Sequence, residues 1–298
     1  MVLDSARNDR DGCGVRGPMK LVSYEAHGRE GFGAVVEGGI VAFGGRLAAA
    51  SVAELLGGGE LDAAHALLDA TPDLVREAVR LLPPIPRPNK ILGVGLNYRD
   101  HVAEIDMKAM PHPTLFIRFA DSLVGPGQPI VRPRNSEMLD FEGELAIVIG
   151  KGGRHIAVED AVDHIGGYAC FNDASIRDWQ FHTTQVIPGK NFPAVGSFGP
   201  WVVTPDELPP LGEMRLTTRL NGVEMQAASP GDMIFSVAQI IAYCSAFTHL
   251  GPGDVIATGS PAGIGNRRNP KLFMKPGDVV EVAITGLGTL VNGIEAEA

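Results

Sequence analysis

The chain is poor in positive charge, aromatic residues and cysteine, and it has no long apolar run; each shortage removes a class of function. Lys and Arg number 25 against 35 Asp and Glu, a formal net charge of -10, so the basic footprint of a nucleic-acid binder is missing. The three cysteines, Cys13, Cys170 and Cys244, are far apart, odd in number and without a C-x-x-C pair for a redox or zinc site. A reducing cytoplasm fits that usage best. No apolar stretch approaches the length of a membrane span, and the opening "MVLDSARNDRDGCGVRGP" carries charges where a secretory signal needs its hydrophobic region. A soluble, cytoplasmic protein with neither membrane nor nucleic acid as partner is expected. The Gly-Lys-Ser/Thr phosphate loop, H-E-x-x-H and G-x-S-x-G are also absent, which removes the commonest nucleotide, zinc-protease and serine-hydrolase readings.

What the chain does have is glycine and proline, 38 and 22 of them, beside only 6% aromatic residues; this favours many turns and short strands over a helical bundle. With 298 residues and 45% hydrophobic content, the core is substantial. Residues 1–18 are polar and read as a flexible tail. From Met19 the pattern gives two or three short strands, with a hairpin near 37–39, and then helical stretches near 51–56, 61–70 and 72–82. The proline-rich "LLPPIPRPNK" marks a boundary between a small amino-terminal α+β domain, 19–85, and a larger one, 86–298. Beyond it "KILGVGL", "GELAIVIG", "DVIATG" and "DVVEVAI" read as strands, and residues 232–249 keep helical apolar spacing. The fold class is therefore α+β and β-rich.

One stretch raises a chemical question. In "LDFEGELAIVIG" the residues Asp140, Glu142 and Glu144 alternate, so on a strand they share one face. Such a row is either solvated or a place that receives a cation. "YACFNDASIRDWQ" begins as a buried strand and delivers Asp173 at its end, either to a shared site or as a helix cap that Asn172 or Ser175 supplies equally well. Arg177 and Gln180 are three apart on the helix that follows, a pair that faces the same site or forms a surface bridge. Lys190 in "IPGKNFP" sits in a loop, to meet an anion or merely water. His101 and Glu104 in "NYRDHVAE" are spaced so that a carboxylate orients an imidazole, as in a general base or an ordinary helix-surface pair. The G-x-G of "ILGVGLNY" has Tyr98 in the third glycine position and is weak as a dinucleotide signal.

From Lys90 onward, "GLNYRDHVAE", "PTLFIRF", "LDFEGELAIVIGK", "NDASIRDWQ", "GKNFP", "LNG", "LGPGDVIATGSPAGIG" and "KPGDVVEV" occur in the order in which they resemble the fumarylacetoacetate hydrolase family, in its acylpyruvase-like bacterial branch. The resemblance implies a mixed, rolled β-sheet catalytic domain and a homodimer. It also implies divalent-metal ligands at Glu142, Glu144 and Asp173, with Asp140 behind them, and a lid-borne base pair at His101 and Glu104. By the same resemblance Lys190 is the active-site lysine, and Arg118, Arg177, Gln180 and Thr258 contact substrate. Two positions depart from the commonest pattern: Arg118 stands where lysine is usual, and Pro193 follows Phe192 where an aspartate is often found.

All-oxygen ligation favours Mg²⁺, with Mn²⁺ or Ca²⁺ as alternatives. Three carboxylates exceed a divalent charge by one, so an anionic 2-oxo acid binds only if nearby cations restore the balance. The expected reaction is hydrolysis of a carbon–carbon bond in an acylpyruvate or related β-diketo acid, in the catabolism of aromatic compounds or sugar acids. The alternative is decarboxylation, tautomerisation, isomerisation or hydration of a 2-oxo acid through the same enolate. Residues 97–112 are expected to form a lid that carries the base.

Overall fold

The computed structural model describes residues 17–100, 110–206 and 208–298. Most of the expected tail falls outside them, and at its end the Gly17 carbonyl is 2.9 Å from His65 Nε2. Three antiparallel strands open the described chain: β1 (Lys20–Ala26), β2 (Arg29–Val36) and β3 (Gly39–Ala42). Two short helices follow, α1 (Val52–Gly58) and α2 (Leu61–Ala66). Ser51 caps α1 by accepting from the Glu54 amide, and Gly59 ends it in the left-handed conformation that suits glycine.

The helix expected over 61–70 stops at Ala66, where Leu67 N bonds Ala64 O and tightens the last turn. The α-helix expected over 72–82 does not form. Ile40 exchanges backbone hydrogen bonds with Leu74, and Arg80–Leu81 becomes β4 against Tyr24 and Glu25. Sheet pairing satisfies these backbone groups and packs Leu74, Val79 and Leu81 onto the buried Val22, Tyr24 and Ile40, so tertiary contacts override the local spacing.

Past the prolines come β5 (Ile91–Gly95), β6 (Thr114–Ile117), β7 (Leu123–Val124), β8 (Ile130–Arg132) and β9 (Leu139–Asp140). Next are β10 (Gly143–Ile149), β11 (Ile165–Asn172) and β12 (Ser175–Ile176), then the single-turn helices α3 (Arg177–Gln180) and α4 (Ile187–Lys190). The chain continues with β13 (Gly196–Val203), β14 (Leu216–Leu220), β15 (Val223–Ala228) and helix α5 (Val237–Phe247). It closes with β16 (Val255–Ala257), β17 (Val279–Ile284) and β18 (Gly288–Ala296). Helix α5 starts later than its apolar spacing predicts, because Ser236 and Gln239 form a reciprocal capping box there.

Nine strands form the main path of the large sheet, in the order β3-β2-β1-β13-β11-β10-β16-β5-β6, with β4 and β7 paired at its side. The sheet crosses the boundary expected near residue 85, since β1 pairs with β13, Leu21 lying opposite Val202. A second sheet, β15-β14-β17-β18-β8, packs on it, and Leu216, Val282 and Leu290 join Leu145, Ile147 and Cys170 in one core. Both faces of β10 are thereby covered, which is why its sequence is almost uninterruptedly apolar. Gly143 marks a close contact between the two sheets: a Cβ there meets Thr218 Oγ1 at 2.0 Å. Gly93 of the G-x-G serves similar packing, because a Cβ there meets the Phe116 ring at 2.2 Å.

Candidate active site

The acid-bearing stretch is not one strand. β9 ends at Asp140 and β10 begins at Gly143, leaving Glu142 at the joint, where its carbonyl accepts from Asp173 N at 2.8 Å and its amide donates to Asn172 Oδ1 at 3.0 Å. The two acids are thus locked to each other through the backbone. Glu144 follows on β10 opposite Phe171, one residue before the end of β11 that leads into Asp173. Glu142, Glu144 and Asp173 each place a carboxylate oxygen within 4.8 Å of the other two, and all three side chains are buried. Asp173 is not a helix cap: the N-cap of α3 is Ile176, with no side-chain bond.

Buried acids persist when cations compensate them. Arg177 donates from Nη2 to Glu142 at 2.7 Å, from Nε to Asp140 at 2.8 Å and from Nη1 to Gln180 Oε1 at 2.8 Å. Lys190 is the last residue of α4, not a solvated loop lysine; it is 2% exposed, donates to Glu142 and Asp173, and lies 4.8 Å from the Phe116 ring centroid. Arg118 Nη1 donates to Asp173 Oδ1 at 2.6 Å and to the Ala174 carbonyl at 3.1 Å, while its Nε reaches Ser122. Burial works to raise the Glu142 carboxyl, but Arg177 and Lys190 hold it well below the usual carboxylate range.

Glu144 is treated differently. Burial, then the charges of Asp173 and Glu142, push its carboxyl well above the ordinary value. It accepts from Gly259 N at 2.8 Å and makes no ion pair among the described residues. Thr258 supplies the geometry: its amide and hydroxyl both donate to the Leu145 carbonyl, at 3.0 and 2.9 Å, which fixes Gly259 beside Glu144. Gly259, at φ +102°, leaves no room for a side chain, since a Cβ meets Asn97 Cβ at 2.8 Å. Asn97 is itself buried and fully engaged with Phe235 and the Thr258 carbonyl.

These groups surround a cavity of about 240 Å³ whose wall includes Glu142, Glu144, Asp173, Arg177, Gln180 and Lys190, with apolar cover from Phe116, Phe181 and Ile264. Arg118 and Thr258, expected to contact substrate, are not on that wall; they brace Asp173 and Gly259 from behind. His101, Glu104 and most of the expected lid lie outside the described residues. Sequence reasoning missed Ser260, Asn266 and Arg267 on the wall, and it missed the full role of Asp140, which accepts from Gly265 N and Asn266 N. The signal was the glycine pair in "AGIGNRR", which marks a loop packed close against other backbone.

The donor set fits a hard divalent cation. Three carboxylates converge, one of them lacks a cationic partner of its own among the described residues, and no softer ligand intrudes.

Residues 90–295 match the family model described as "Fumarylacetoacetate (FAA) hydrolase C-terminal". The human protein named oxaloacetate tautomerase FAHD2A, mitochondrial, is 39% identical over 234 residues, covering 78% of this chain and 74% of that protein. Among solved structures, the fumarylacetoacetate hydrolase from Exiguobacterium antarcticum is 35% identical with a TM-score of 0.81, covering 94% of this chain and 100% of that one. The 2-hydroxyhepta-2,4-diene-1,7-dioate isomerase from Mycobacterium marinum is 30% identical with a TM-score of 0.74 over 94% and 99% of the two chains. The maleylpyruvate hydrolase from Sphingobium sp. SYK-6, in complex with manganese(II) and pyruvate, is 27% identical with a TM-score of 0.79 over 94% and 100%. No helix among the described residues is long and apolar enough to cross a membrane.

Proposed function

The chain belongs to the fumarylacetoacetate hydrolase family, and from that membership we propose that it moves a proton at the carbon next to the keto group of a 2-oxo acid, interconverting keto and enol forms. The observation that carries the reading is the buried carboxylate triad flanked by Lys190 and Arg177 in a cavity sized for a small acid. Support comes from the relative named as a tautomerase and the structural neighbour named as an isomerase. Both favour the enolate alternative over the carbon–carbon hydrolysis first expected. Hydrolysis stays as the second reading because of the likeness to maleylpyruvate hydrolase.

Glu142, Glu144 and Asp173 would hold a divalent cation, Mg²⁺ or Mn²⁺, which when bound supplies Lewis acidity toward the oxygens of the 2-oxo acid. The rest of the work falls to the chain. Lys190 presents an ammonium at the cavity wall, where negative charge develops as the enolate forms. Arg177 fixes the Gln180 amide by donating to its oxygen, which leaves the Gln180 N–H groups to hold the substrate carboxylate. The base takes the proton from the carbon, the C–H electron pair forms the carbon–carbon double bond, the carbonyl π pair moves onto the keto oxygen, and that oxygen takes a proton from solvent to complete the enol. By the family resemblance that base is His101, with Glu104 as its partner; both lie outside the described residues.

Deuterium exchange tests this directly. With Mg²⁺ in D₂O, oxaloacetate should take up deuterium at C3 faster than in buffer, followed by mass spectrometry, and chelation should abolish the gain. No exchange above buffer, together with release of two smaller acids from an acylpyruvate, would replace this reading with the hydrolytic one.

A further inference from the structure

Four cations serve the cavity, and one of them differs from the rest. Arg118, Arg177 and Lys190 are buried and paired with acids, whereas Arg267 is exposed, lies on the cavity wall and makes no ion pair among the described residues. Its backbone is firmly held. Gly265 N and Asn266 N donate to the two oxygens of Asp140 at 2.7 and 2.9 Å, and Leu272 N donates to the Gly265 carbonyl at 3.0 Å. On the other side the Arg268 guanidinium is tied to the Gly263 and Met225 carbonyls, at 3.1 and 2.6 Å. A Cβ on Gly265 meets Leu272 O at 1.8 Å and Asp140 Oδ1 at 2.6 Å, so the loop has no room to shift inward. Asp140 also receives Arg177 Nε, which links this loop to the guanidinium on Glu142. A braced loop therefore delivers to the cavity one guanidinium that is unpaired among the described residues.

Charge decides what that guanidinium meets. Among the described residues the wall carries three acids, Glu142, Glu144 and Asp173, and three cations, Arg177, Lys190 and Arg267, while Asp140 and Arg118 cancel behind it. The site is neutral with all of these ionised, and a divalent cation brings it to two positive charges, which matches a dianion. Without Arg267 the filled site would match a monoanion. We infer that Arg267 is the residue that binds the second carboxylate when a 2-oxo dicarboxylate such as oxaloacetate occupies the site, and that it thereby sets the preference over a monocarboxylate. This inference rests on the enolising reading above. A guanidinium suits the role because its fork of N–H donors fits a carboxylate in two places.

The test compares ligands that differ in the second carboxylate. Oxamate, a monoanion, offers the 2-oxo acid end alone; 3,3-difluorooxaloacetate, which cannot enolise, offers both. Arg267→Ala should weaken difluorooxaloacetate binding, measured calorimetrically with Mg²⁺ present, and raise KM for oxaloacetate, each by roughly 10- to 100-fold, the loss expected for a charge-assisted hydrogen bond. The dissociation constant of oxamate should stay within about twofold, kcat should change far less than KM, and Arg267→Lys should recover part of the loss. Unchanged KM and affinity in Arg267→Ala, with the parent active, would overturn the role of Arg267 and leave the enolising reading intact. Equal weakening of oxamate and difluorooxaloacetate would also overturn it. A parent protein that exchanges no 2-oxo acid with Mg²⁺ or Mn²⁺ would remove the enolising reading and this inference together.

Discussion

At the edge of the large sheet Glu25, Glu30 and Asp73 pair with Arg80, Arg87 and Arg46 in open solvent, whereas beside the cavity Asp140, Glu142 and Asp173 pair with Arg177, Lys190 and Arg118 out of water. The side chains of Arg87 and Glu30 are 72% and 48% exposed, and those of Arg118 and Asp173 are 0% and 1% exposed. Both sets pair Asp or Glu with a basic side chain. In water each ion keeps most of its hydration and the pair is dispensable; in the interior each ion has given up water, so its partner cannot be removed without leaving a bare charge. The buried set is moreover interlocked, because Glu142 serves both Arg177 and Lys190, and Lys190 serves both Glu142 and Asp173.

That contrast is broken most severely at Asp173. Asp173→Ala should abolish exchange activity and, with a chelator present, lower the unfolding free energy by about 3–5 kcal/mol, as Arg118 and Lys190 are left short of an anion. Urea unfolding measures it; a loss below about 1 kcal/mol would place this pair with the surface ones. Asp140→Asn comes next, at about 2 kcal/mol, since it weakens the bonds from Arg177, Gly265 and Asn266 together. Hydrogen exchange at the Gly265 and Asn266 amides should rise in that variant, and unaltered protection would show that Asp140 does not hold the loop.

Glu144 sharpens the comparison with the opposite sign. Its carboxyl is raised, so the folded chain keeps a proton that the unfolded chain releases, and stability falls as pH climbs from the ordinary carboxylate value toward the raised one. Glu144→Gln should therefore stabilise the chelated protein by about 1 kcal/mol at high pH, with the gain vanishing in acid where the parent is protonated in both states. Mg²⁺ should reverse the order, raising the Tm of the parent and barely moving that of the variant. Identical pH dependence in chelator would contradict the burial argument. Smallest of all is Arg87→Ala, expected to change stability by less than about 1 kcal/mol and to lose even that in high salt.

The acids were legible in the sequence because their signal is local: alternation and an ordered set of motifs name Glu142, Glu144 and Asp173 whether or not Glu142 lies within a strand. Depth is not a local property. Arg118 and Thr258 carry the same motif signal as Lys190, yet the fold puts the first two behind the wall and the third on it. Arg267 escaped notice because an exposed loop arginine has no pattern of its own; only the bonds from its neighbours to Asp140 place it. The strands from 91 onward announced themselves through apolar runs bounded by glycine. Residues 72–82 did not, because Leu74 and Leu81 gain their partners from β3 and β1, dozens of positions earlier.

The pairing of β5 with β6 reaches to their ends, with Gly95 opposite Thr114. Residues 96–113 are therefore a connection between two strand ends that face each other, while the three acids are carried elsewhere, at the β9–β10 joint, on β10 and after β11. The free energy of closing such an excursion depends only weakly on its length. A change in the length of this connection therefore costs little in chain entropy, whereas Asn97 at its start is tied to the site, because it holds the Thr258 carbonyl next to the Gly259 amide that serves Glu144.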